Sequence, residues 1–78
     1  MRLNEILLNK TYYIKSLCAT GVLKARMYDL GIVEGTEIKG LFKAPFGEPT
    51  AYMVRGTLLA LRDEDAKLIE VKTVRDDG

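Results

Sequence analysis

The chain has 78 residues, with 12 Lys or Arg, 11 Asp or Glu and no His, which gives a net charge of +1. This balance argues against a nucleic-acid partner, because nucleic-acid modules are usually basic, and the absence of His excludes His-based catalysis and metal sites. One cysteine excludes an internal disulfide framework and favours the cytoplasm. No segment has the roughly 20 apolar residues that span a bilayer, so we expect no direct membrane insertion.

The first elements predicted along the chain are a strand and a short helix. Residues 12–17 combine aromatic and β-branched side chains, which favour a strand. Residues 22–30 predict a helix, because three apolar side chains recur at helical spacing and define one face: Leu23, Met27 and Leu30. Thr20 is a candidate N-cap, and Gly31 followed by Ile32 predicts a Schellman ending.

A second strand is predicted over residues 36–44, where apolar and charged side chains alternate. Ile38, Phe42 and Ala44 share the apolar face of this strand. Gly40 lies on the same face, and a glycine inside a strand often marks a bulge or a sharp bend. The strand is therefore expected to curve at Gly40.

The second half of the chain predicts a loop, three strands and a helical turn. Pro and Gly mark residues 44–49 as a loop. Strands are predicted over 51–54 and 57–61, joined by a tight turn at Arg55 and Gly56. Asp63 is expected to cap a helical turn that runs to Ala66, and residues 68–74 form the closing strand.

These elements predict a mainly β fold, a small SH3-like barrel of about five strands with one short helix and one helical turn. Closing the sheet into a barrel reduces the exposed strand edges that invite aggregation. An OB-like barrel is the alternative. We expect one domain over residues 1–74 and a frayed polar tail over 75–78.

Residues that could carry chemistry are few. Cys18 is the only thiol, and without a His to activate it we expect a small, buried, inert side chain. The acidic run at 63–65 lacks the spacing of a calcium loop. Gly31 and Gly35 lack the Lys-Ser/Thr that follows in a phosphate-binding loop. We therefore predict no catalytic residue, no metal site and no cofactor.

Two exposed features are candidates for binding a protein partner. Lys24 and Tyr28 lie on the helix side away from the apolar face, where Tyr28 either anchors a partner or lies flat over a strand. Pro45 and Pro49 flank Phe46 in the loop. We expect the Phe46 ring to tuck inward, and otherwise to contact a partner.

The run Leu-Gly-Ile-Val-Glu-Gly at 30–35, with the preceding residues 23–29, resembles a characteristic segment of the ferrous iron transport protein A (FeoA) family. The loop at 44–49 and the stretches 54–56, 59–62 and 64–71 are similar to the later parts of that family. The resemblance is in order along the chain from about Leu3 to Val71. Asn9 and Lys10 depart from it, because the family commonly has Gly in the first turn, and Tyr12 with Tyr13 makes the first strand unusually aromatic.

This resemblance implies an SH3-like barrel with a cytoplasmic accessory role in ferrous iron uptake. The implied partner is the membrane transporter FeoB, which carries a cytoplasmic GTP-binding domain, and the implied action is regulation or assembly by binding, not catalysis. The family carries a general association with transition metal ions, although no iron-ligand set is visible here. Two alternatives stay open: the regulatory SH3-like domain of an iron-dependent transcriptional repressor of the diphtheria-toxin-repressor type, and a peptide-binding SH3 module.

Overall fold

The computed structural model describes residues 1–75, which form an antiparallel sheet of five strands in the order β4-β3-β2-β1-β5. The strands are β1 (Thr11–Leu17), β2 (Glu37–Lys43), β3 (Thr50–Val54), β4 (Thr57–Leu61) and β5 (Ile69–Lys72). A 3₁₀ turn (Leu3–Glu5) precedes β1, helix α1 (Gly21–Asp29) connects β1 to β2, and the short α2 (Asp63–Ala66) connects β4 to β5. The mainly β fold predicted from the sequence is confirmed.

The core lies inside the curved sheet and is closed by residues from α1, α2 and the 3₁₀ turn. The largest buried side chains in it are Tyr12 and Tyr52. The Tyr12 hydroxyl accepts a hydrogen bond from the Leu7 amide at 3.1 Å, which satisfies its polar end. Burial raises the pKa of Tyr52 above 10.0, a hydrogen bond with Thr50 opposes that rise, and the Asp63 carboxylate adds to it. The Tyr52 ring is therefore held in its neutral form.

Bulges in β1 and β2 change which side chains face the core. The β2–β3 register shifts between Gly40 and Phe42, as the glycine predicted. An extra residue in one strand shifts the alternation of its faces by one position. Ile38 is fully buried, whereas Phe42 is 56% exposed. The prediction that Phe42 faces the core is therefore wrong, because it assumed strict alternation past the bulge.

Helix α1 ends in the predicted Schellman motif. The Ile32 amide donates to the Met27 carbonyl and the Gly31 amide to the Tyr28 carbonyl, both at 2.9 Å. Gly31 has φ +91°, which an L side chain adopts only with strain. This turn sends Ile32 into the core and leaves Leu30, at the C-cap, 41% exposed. The prediction that Leu30 joins the apolar face is therefore wrong.

The N-terminal ends of both helices differ in detail from the prediction. Thr20 occupies the N-cap position of α1 but makes no side-chain cap hydrogen bond. Asp63 is the first residue of α2, not its cap, since Arg62 holds the N-cap position. The acidic side chains of the first turn of α2 still oppose the positive end of its backbone dipole.

The two ends of the chain were only partly predicted. The 3₁₀ turn was missed, although it places the fully buried Leu3 in the core. The closing strand is shorter than predicted, and of the predicted tail only Arg75 is described, with its guanidinium carbon 5.6 Å from the centre of the Tyr13 ring. Residues 76–78 lie outside the described part of the chain. Across residues 1–75, no helix has the length and apolar character needed to cross a membrane.

Substitutions can test the different burial of Met27, in α1, and Leu30, at its C-cap. We expect Met27→Asp to abolish the cooperative thermal unfolding transition, because Met27 is 2% exposed and a buried, unpaired carboxylate costs several kcal/mol, about the whole stability of a domain this small. Leu30→Asp is the matched control and should lower the free energy of unfolding by less than about 1 kcal/mol, mainly through the helix dipole. Calorimetry of both variants measures this; a cooperative transition in Met27→Asp would contradict the packing described.

Candidate functional site

The loop between β2 and β3 projects one aromatic side chain into solvent. The Ala44 carbonyl accepts from the Gly47 amide at 2.8 Å, so Pro45 and Phe46 occupy the two central positions of a turn. Phe46 is 98% exposed. The prediction that the ring tucks inward is wrong, because the turn directs it away from the sheet. An aromatic ring fully in water is a candidate anchor for another molecule.

The base of this loop is held by contacts on both sides. The Ala44 amide donates to the Pro49 carbonyl at 3.0 Å, which closes the loop where β2 and β3 begin to pair. On the other side, Glu48 accepts from the backbone amide of Asp63 at 3.4 Å, which links the loop to the start of α2. The loop therefore presents Phe46 on a base that the rest of the fold positions.

On α1, Tyr28 is partly held by its own chain. Its hydroxyl lies 3.3 Å from both carboxylate oxygens of Glu34, and the Lys24 ammonium lies 5.8 Å from the centre of the ring. The side chain is 39% exposed. It is therefore neither fully free nor covered, and part of the ring remains available to a partner.

The five predicted partner-binding residues form two separate patches. The loop patch (Pro45, Phe46 and Pro49) lies at the end of the β2–β3 pair where Lys43 opposes Thr50. The helix patch (Lys24 and Tyr28) lies on α1. Gly31, just after α1, lies against Arg55 and Val54, since a Cβ built on Gly31 would be 3.2 Å from Cδ of Arg55. The C-terminal end of α1 is therefore at the other end of the β2–β3 pair. The structure does not bring the two patches together.

Cys18 lies at the surface, not in the core. It follows the last residue of β1, and its amide donates to the Leu68 carbonyl at 2.7 Å. The Arg2 guanidinium donates to its sulfur at 3.3 Å. The prediction of a buried thiol is wrong, because Cys18 lies just beyond the strand whose alternation buries Leu17.

A polar cleft of about 530 Å³ lies beside α2 and the 3₁₀ turn. Its lining carries charges of both signs and comprises Asn4, Glu48, Arg62, Asp63, Glu64 and Lys67. The Oδ1 atom of Asn4 is buried and has no hydrogen-bond partner in the described chain. Within residues 1–75, no three His, Cys, Asp or Glu side chains lie close enough to hold a metal ion.

The family model described as the FeoA domain matches residues 1–73. The chain belongs to the FeoA domain family. A fusion protein of Fe(2+) transport protein A and Fe(2+) transporter FeoB from Porphyromonas gingivalis is 32% identical over 74 residues, which are 95% of this chain and 9% of that protein. The FeoA domain described here thus spans about a tenth of this relative.

Solved structures share the fold of this FeoA domain closely. The solution structure of iron(II) transport protein A from Clostridium thermocellum superposes with a TM-score of 0.90 at 32% identity, over 95% of this chain and 46% of that one. The crystal structure of Stenotrophomonas maltophilia FeoA complexed with zinc has a TM-score of 0.81 at 33% identity, over 92% of this chain and 89% of that one. That protein is described as an SH3 domain protein, which confirms the SH3-like barrel over the OB-like alternative.

An ionic cluster that the sequence did not reveal fastens the N-terminal segment to β5. The Met1 ammonium lies 2.7 Å from one carboxylate oxygen of Glu70, and Nε of Arg2 lies 3.5 Å from the other. The pKa of Glu70 lies below 4.5, and the main cause is the hydrogen bond from the Met1 ammonium. Partial burial of Glu70 opposes this shift, and the positive charges of the ammonium and of Arg2 add to it. These ion pairs join residues from opposite ends of the sequence, so no local sequence pattern indicates the cluster.

The lowered pKa of Glu70 makes its contribution to stability depend on pH. The contribution is fully present above the unfolded value of 4.5 and is lost as pH falls through the lower folded value. We therefore expect Glu70→Gln to have a lower Tm than the unmodified chain at pH 6 to 7, with a difference that shrinks towards zero as the pH falls through the folded pKa. Glu37→Gln, on an exposed position of β2, is the control. A Tm difference independent of pH would contradict the ionic role.

Proposed function

We propose that this FeoA domain is a non-enzymatic cytoplasmic accessory protein of ferrous iron uptake, which binds the FeoB transporter and regulates or assembles it. The observation that carries this proposal is the FeoA–FeoB fusion, in which a region 32% identical to this chain belongs to the same polypeptide as the transporter. Fusion holds two domains at a high effective concentration, as suits domains that act on each other. A FeoA domain that acts on the transporter does so through a surface of its own.

The loop patch is the stronger candidate for that surface. Phe46 is 98% exposed, whereas Tyr28 is 39% exposed and already bonded to Glu34. Burying a free ring removes more apolar area from water and breaks no existing contact. Aromatic side chains near the centre of an interface commonly dominate its binding energy. Phe46 is therefore proposed as the anchor, with Pro45 and Pro49 restricting the loop that carries it.

The helix patch supports a second contact at the opposite end of β3. The five residues of β3 span about 13 Å at the usual strand rise, and the two patches lie at opposite ends of this strand. An interface of ordinary size, about 800 Å² on each partner, is large enough to cover both. One transporter surface is therefore proposed to contact Phe46 and Tyr28 together.

Binding would act on FeoB by favouring one of its conformations. A partner shifts an equilibrium only as far as its affinities for the two states differ. The nucleotide state of the GTP-binding domain is the proposed variable, so the affinity of this chain should differ between the nucleotide-free and GTP-bound transporter. This step requires no catalytic group on the FeoA domain.

The test is a titration of the folded domain against full-length FeoB and against its soluble GTP-binding domain, with and without GTP. We expect saturable binding that Phe46→Ala weakens roughly tenfold and Tyr28→Ala by a smaller factor, since truncated interface aromatics commonly cost about 1 kcal/mol or more. Leu7→Ala is the matched control, because Leu7 is 67% exposed and lies in neither patch.

Each outcome of the titration bears on a different part of the proposal. Unchanged affinity in folded Phe46→Ala and Tyr28→Ala would overturn the placement of the surface. Absence of binding to both forms of the transporter, with the domain folded, would overturn the function and favour the repressor-domain alternative. Saturable binding to a Pro-rich peptide in place of FeoB would favour the peptide-binding alternative.

A further inference from the structure

We draw no further inference here: the strongest candidate, the outer edge of strand β4 at one side of the sheet, carries none because nothing in the structure of residues 1–75 shows what covers it.

Discussion

The sheet encloses its core because β1 and β2 each carry a bulge. Five strands of four to seven residues can surround a core only if the sheet bends strongly, and an extra residue on one strand bends it and increases its twist. In β2 the bend follows Gly40, whose missing Cβ leaves room for Ile6 and Leu8: a Cβ there would lie 3.2 Å from each of their terminal methyl groups. The N-terminal segment can therefore pass over β2 at the point where β2 bends.

The local features of the fold were predictable because single residues specify them. Gly31 specified the Schellman ending, and Arg55 with Gly56 specified the hairpin. Both motifs require a positive φ that few residues tolerate. Phe42 and Leu30 were misplaced for the opposite reason. Their exposure depends on where a bulge or a cap resets the periodicity, and periodicity alone does not locate that reset by residue.

The candidate site was less predictable than the fold. The sequence singled out Phe46 and Tyr28 as candidates but placed the Phe46 ring inside, because an apolar loop residue is more often covered than free. The separation of the helix patch from the loop patch depends on the pairing of β2 with β3. The contact between the N-terminal segment and Glu70 was invisible for a similar reason, since it joins the two ends of the chain.

The loop patch is held in place from two directions. Glu48 accepts a hydrogen bond from the backbone amide of Asp63, at the start of α2, and Thr50, at the end of the loop, pairs with Leu61, at the end of β4. The position of Phe46 at the surface therefore depends on the pairing of β3 with β4 as well as on the turn that carries the ring. A partner that binds Phe46 contacts a ring whose base is already ordered, so binding costs less conformational entropy than it would for a loop without these contacts.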